Sequence, residues 1–140
     1  MLKKILKNLF TTNDAGHKTF KIMIIEPQDK TINLFRQSLE KNYCIHFALN
    51  GKEGVKVANT VQPDFIFINN QLPDMTGCEV CSQLKTQTKF HDIPIIMIFS
   101  QVTPATIITC YESGADSYLT QPVGSRDIKN QVEVFIAEKE

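Results

Sequence analysis

Apolar and polar positions along the chain switch repeatedly between two rhythms. Phe20 to Ile25 is a short apolar, β-branched run that predicts a strand. Gln28 to Lys41 puts Ile32, Phe35 and Leu39 on one helical face. Tyr43 to Leu49 predicts a strand, and Lys52 to Val61 a helix stopped by Pro63. Phe65 to Ile68 and Ile93 to Phe99 are continuously apolar, as expected of parallel strands buried on both faces. Thr76 to Thr86 is helical, with Val80 and Leu84 on one side. Thr103 followed by Pro104 is a helix N-cap with proline at the first helical position, and that helix runs to Gly114. Ser117 to Thr120 is a short strand, and Ser125 to Lys139 a last helix carrying Ile128, Val132, Phe135 and Ile136. Five strands alternating with five helices predict a doubly wound, five-stranded parallel α/β domain of the flavodoxin-like (βα)5 kind, with helices on both faces.

The first eighteen residues break this pattern. Met1 to Phe10 places Leu2, Ile5, Leu6, Leu9 and Phe10 at helical spacing with Lys3, Lys4 and Lys7 between them. It reads as a short amphipathic basic helix, and Thr11 to Lys18 as a polar linker. Residues 1–18 therefore precede a folded domain at 19–140. So short a helix is marginal in water, and docking onto protein, its own or a partner's, is favoured over a membrane surface.

Composition narrows the classes. Fifteen basic and fifteen acidic residues balance, which removes any general attraction to nucleic acid or anionic membrane. No apolar run is long enough to span a bilayer, and the N-terminus lacks a signal-peptide cleavage pattern. Cys44, Cys78, Cys81 and Cys110 are too few and too scattered for a secreted disulfide framework. A cytoplasmic protein is expected.

In open parallel sheets the ligand crevice lies beyond the carboxyl ends of the strands. Those ends carry Glu26 and Pro27, Asn69, Phe99 and Ser100, and Gln121. Around them, PDFIFINNQLPDMTGCEVCSQLK, HDIPIIMIFS and YESGADSYLTQPV resemble the receiver domain of bacterial response regulators over about Thr19 to Ala137. That resemblance implies a chemotaxis-receiver-like fold, a place in two-component-type signalling, and a site at those strand ends. The chemical positions depart from the family pattern. The acidic pair after the first strand is Glu26 and Pro27, and the phosphoacceptor aspartate falls on Asn69. The hydroxyl residue of the fourth strand falls on Phe99, and the lysine before proline on Gln121.

Each departure removes a chemical function. An acyl phosphate needs a nucleophilic carboxylate, and the neutral amide of Asn69 is none. Mg²⁺ prefers hard anionic oxygens in octahedral array, and Pro27 offers no side-chain ligand. Gln121 has no charge to pair with phosphate, and Phe99 has no hydroxyl. The sequence therefore predicts a pseudo-receiver with no catalytic residues, no cofactor, and weak or absent Mg²⁺ binding. Asn69 and Gln121 are expected to hydrogen-bond across the old site. Function then rests on protein–protein contact with a signalling partner, an output domain or a second copy. The resemblance places that contact on the fourth helix, fifth strand and fifth helix: Thr106, Cys110, Tyr111, Tyr118, Lys129 and Glu133. A chain ending AEKE suits a linker into an output domain, and no helix-turn-helix pattern supports direct DNA reading.

Three rival readings remain: a conventional phosphoacceptor regulator, a thiol redox sensor using Cys78 and Cys81, and a small-ligand sensor using the altered pocket. Cys78 and Cys81 share a helix face, but a single CxxC is a weak metal or redox signal, and packing is favoured. His46 and His91 show no ligand-spaced partner, Ser100 reads as a loop cap, and Asn70 as a residue shaping its loop. Tyr118 is either a partner-facing aromatic or a half-buried ring on an edge strand.

Overall fold

In a computed structural model of the chain, residues 20–138 are described. The expected basic helix Met1 to Phe10 and its linker lie outside them. Five strands, β1 Lys21–Ile25, β2 Cys44–Ala48, β3 Phe65–Asn69, β4 Ile95–Phe99 and β5 Ser117–Thr120, form one parallel sheet in the order β2-β1-β3-β4-β5. Five helices alternate with them: α1 Asp29–Leu39, α2 Gly51–Val61, α3 Gly77–Lys85, α4 Pro104–Glu112 and α5 Ser125–Glu138. A 3-10 turn, Thr88–Phe90, leads into β4. This is the doubly wound arrangement expected from the pattern.

The pleat sorts the core into two layers. Ile22, Ile24, Phe65, Phe67, Ile96 and Ile98 face one side, where Phe35 and Leu39 of α1 and Ile128, Val132 and Ile136 of α5 cover them. Met23, Ile25, Ile66, Ile68, Met97 and Phe99 face the other, under Ala58 of α2, Val80, Cys81 and Leu84 of α3, and Cys110 of α4. β3 and β4 are buried along their whole length. A continuous apolar run is the signature of such two-sided burial.

Element ends fall within about two residues of the pattern, most of them shorter, with α2 and β3 each one residue longer, at Gly51 and Asn69. α2 ends because Gln62 adopts a left-handed conformation (φ 53°) and donates its N–H to the Ala58 carbonyl at 2.8 Å, one residue before Pro63. β4 begins at Ile95, not Ile93; Pro94 has no N–H for the ladder but its carbonyl accepts from Ile66 at 3.0 Å. α4 stops at Glu112, and Gly114, at φ +95°, turns the chain toward β5. Thr103 and Thr106 form the reciprocal capping box that starts α4.

The loop between β3 and α3 is held at both ends. The Asp74 carboxylate accepts from the Gly51 and Lys52 amides at 2.8 and 2.9 Å, at the N-terminus of α2. Asn70 accepts the Cys78 amide on its side chain and the Gly77 amide on its carbonyl. Asn70 therefore shapes the loop, as its sequence position suggests. A Cβ on Gly77 would lie 2.6 Å from the Asn69 carbonyl and 2.9 Å from the Asn70 Cα, so α3 approaches β3 this closely only with glycine there.

Candidate functional site

β1 and β3 are adjacent, with Ile25 in register with Ile68. Their next residues, Glu26 and Asn69, therefore emerge side by side at the carboxyl edge of the sheet. Both are buried, Glu26 at 0% and Asn69 at 5% exposure. The Asn69 Nδ2 donates to both Glu26 carboxylate oxygens, at 3.0 and 3.1 Å. Its Oδ1 accepts the Gln71 backbone N–H at 2.9 Å. Glu26 also accepts the Gln28 N–H at 3.1 Å, and its own N–H donates to the Ala48 carbonyl at 2.9 Å. These partners fix the amide orientation, because a donor stands on one side of Asn69 and an acceptor on the other.

The remaining strand ends complete the surroundings. Phe99 is packed edge-on against Tyr118, ring centroids 6.2 Å apart, and Tyr118 packs edge-on against Tyr111 at 6.3 Å. Gln121 donates its backbone N–H to the Phe99 carbonyl at 2.8 Å and precedes Pro122 through a cis peptide bond. Its side chain lines an open groove with Gln28, Ser100 and Pro122. The expected Asn69–Gln121 bond across the site is absent among the described residues: Asn69 turns to Glu26, whose unpaired carboxylate is the stronger acceptor.

A family model, response regulator receiver domain, matches residues 22–133. The chain belongs to this family. It is 31% identical to the alkaline phosphatase synthesis transcriptional regulatory protein PhoP of Bacillus subtilis, over 86% of this chain and 50% of that protein. It is 30% identical to the DNA-binding dual master transcriptional regulator RpaA of a Synechocystis species, over 83% of this chain and 48% of that one. The chain thus spans about half the length of these curated relatives. Chemotaxis response regulator CheY4 of Vibrio cholerae superposes with a TM-score of 0.78 at 20% identity, covering 83% of this chain and 98% of that one. A CheY-like receiver domain protein from Methanospirillum hungatei gives 0.80 at 21%, covering 86% and 96%. The receiver fold and its place in two-component signalling follow.

Burial dominates the electrostatics of the receiver's site. Desolvation pushes the Glu26 carboxyl above its ordinary value of 4.5, against the opposing pull of the Gln28 N–H and the Asn69 amide. A divalent metal, which the receiver resemblance implies, does not fit these donors. Both Glu26 oxygens already accept N–H groups, Asn69 presents its own N–H hydrogens toward them, and Pro27 carries no donor atom. A cation would have to displace the amide before meeting even one carboxylate.

Among the residues expected on the partner face, Tyr111 is exposed, Tyr118 half-buried, and Lys129 and Glu133 exposed; Thr106 is half-buried. Cys110 is a correction. It is fully buried in the core beside Cys78, Cys81 and Leu84 of α3, on the side of α4 that faces the sheet, while Ile108 and Tyr111 are exposed. Tyr118 is the half-buried ring on the edge strand β5, packed against the exposed Tyr111. Cys78 and Cys81 are buried too, and burial pushes the thiols of Cys81 up to about 11 and Cys110 up to about 12. His46, which shows no partner at metal-ligand spacing in the linear pattern, has one in the fold. Cys44 Sγ lies 3.4 Å from its Nε2, because residues two apart in a strand share a face. The signal was there in the strand period; helical and loop spacings do not expose it.

Two substitutions read the site. A carboxyl with a raised pKa costs the folded state stability as pH rises from the unfolded value of 4.5 through the folded one, and the cost is constant above both. The stability difference between Glu26→Gln and the parent should therefore shift in favour of the variant across that window and then level off. Each unit of raised pKa adds about 1.4 kcal/mol to this shift. Denaturant unfolding of both proteins from pH 4 to 8 measures it, and a difference that stays flat would mean that Glu26 ionises as freely folded as unfolded. Asn69→Asp should lose about 2–4 kcal/mol at pH 8, since a donor to Glu26 becomes a second buried carboxylate. The loss should shrink at pH 5, where the two acids share a proton; equal losses at both pH values would indicate a solvated, open pocket.

Proposed function

We propose that this receiver signals by protein–protein contact without accepting phosphate. The Asn69 amide bound to both oxygens of Glu26 is the observation that carries this reading. The residue where a receiver of this resemblance would place its nucleophile is an amide, and it is held by its neighbours with its N–H side toward the one buried carboxylate. Phosphoryl transfer draws on a carboxylate nucleophile, a metal and a cationic group to neutralise developing charge. Asn69, Pro27 and Gln121 supply none of these, and Mg²⁺ binding is expected to be weak or absent.

The contact surface in this reading is the face of α4, β5 and α5. Ile108 is 58% exposed and Tyr111 is 49% exposed on α4, next to Tyr118 on β5. Lys129 and Glu133 flank the face on α5. An apolar centre with a charged rim is the composition of a protein interface. The buried Phe99 packs edge-on against Tyr118 and so supports the aromatic row from the core side. The partner is a signalling protein, an output domain or a second receiver.

The rival readings draw less support. A small-ligand sensor would have to use the open groove beside Gln28, Ser100 and Gln121, since the strand end at Phe99 is closed at 4% exposure. A redox sensor at Cys78 and Cys81 needs a thiolate within reach of an oxidant, and both thiols are buried with raised pKa.

Incubation with acetyl phosphate and Mg²⁺, followed by intact-mass spectrometry, tests the proposal. The expected outcome is no phosphoryl adduct on the parent, and none on Asn69→Asp while Pro27, Phe99 and Gln121 remain. A reproducible adduct on the parent would make the chain a working phosphoacceptor.

A further inference from the structure

Cys44 and His46 stand together on β2, at the edge of the sheet. Cys44, Ile45, His46 and Phe47 are all half-buried, and no strand pairs with the outer side of β2 among the described residues. A tetrahedral zinc ion, with bonds of about 2.3 Å to sulfur and about 2.0 Å to nitrogen, holds an S and an N ligand about 3.5 Å apart. The Cys44 Sγ and His46 Nε2 are 3.4 Å apart. The pair is spaced as one edge of such a tetrahedron before any metal arrives. Its ligand atoms suit a borderline-soft ion, unlike the hard-oxygen preference of Mg²⁺.

One chain supplies only two of the four ligands. No group of three or more metal-ligating side chains exists among the described residues. The backbone of β2 indicates where the other two come from. The Cys44 N–H donates to the Phe20 carbonyl, and the Ala48 carbonyl accepts from Glu26, so the backbone groups of residues 44 and 48 face β1. Alternation turns the N–H and C=O of Ile45 outward. A second copy approaching antiparallel, with its two-fold axis at Ile45, would exchange both Ile45 hydrogen bonds. Cys44 then lies directly opposite His46 of the other copy, and His46 opposite Cys44. These are the non-hydrogen-bonded pairs, whose side chains approach most closely. All four ligand side chains project from the same face. On the other face, Ile45 and the half-buried Phe47 and Tyr43 would gain apolar burial. Lys21, in register with Cys44, is the nearby cation that opposes a metal; its Nζ is drawn toward the Val61 carbonyl at 2.8 Å, and two thiolates offset the charge of the ion.

We infer that Cys44 and His46 form half of a Cys₂His₂ zinc site that a second copy of this chain completes by pairing β2 edges. This site lies at the opposite edge of the sheet from the face of α4, β5 and α5 and does not depend on the phosphate reading.

The test is sedimentation of the full chain under reducing conditions with Zn²⁺ titrated in and then removed with EDTA. The expected result is a reversible shift from monomer to dimer at one zinc per two chains. Co²⁺ in place of Zn²⁺ should give the absorption of a tetrahedral site with thiolate-to-metal charge transfer. Cys44→Ser and His46→Gln should each weaken metal-dependent dimerisation on the order of 100-fold or more, with metal-free thermal stability showing that the variants fold. One zinc bound per monomer without dimerisation, no zinc binding at all, or dimerisation that persists in Cys44→Ser would overturn the inference.

Discussion

An amide can accept a hydrogen bond and donate one at the same time, and a carboxylate cannot. At the end of β3 that difference organises the site. The Oδ1 of Asn69 takes the Gln71 N–H, and its Nδ2 meets both oxygens of Glu26 at 3.0 and 3.1 Å. Without the donor half, Glu26 would be a fully buried carboxylate held by the Gln28 N–H alone among its side-chain contacts here. The amide thus makes tolerable a charge that the surrounding core resists. The proposed weak metal binding and the expected pH dependence of stability both rest on this one contact.

The sheet makes the contact possible. β1 and β3 are neighbours at its centre, and the register Ile25 with Ile68 brings the next residues level. Gly77 lets α3 come within contact of the Asn69 backbone, and Asp74 ties the intervening loop to α2. Beyond the site, Phe99 passes the packing outward to Tyr118 and Tyr111. These rings run in one row from the buried end of β4 to the exposed face of α4.

Most of the fold was legible in the chain because strands buried on both faces leave continuous apolar runs. Phe65 to Ile68 and Ile95 to Phe99 are such runs, and α1 and α5 show plain helical spacing. The strand ends that carry Glu26, Pro27, Asn69, Phe99 and Gln121 follow from the same alternation. What the pattern could not supply was partnership. Which group Asn69 would choose depends on side-chain direction, and Glu26 lies 43 residues away. The resemblance implies a contact face that includes Cys110, but α4 turns that residue inward. The strand expected over Tyr43 to Leu49 already puts Cys44 and His46 on one face, but that their side chains turn to within 3.4 Å of each other is a matter of rotamers that the pattern does not carry. The helix end at Val61 agrees with the pattern, whereas β4 begins two residues later than its apolar run, at Ile95 after Pro94.

Mg²⁺ titration watched by NMR at the Asn69 side-chain amide and the Gln71 backbone amide is the most direct test of the account. If Asn69 closes the site against cations, neither signal shows a saturable shift up to millimolar Mg²⁺, and the Asn69 amide protons remain slow to exchange with water. A saturable shift at both positions, with faster exchange of the Asn69 protons, would mean that the metal displaces the amide from Glu26, and the account would be wrong at its centre.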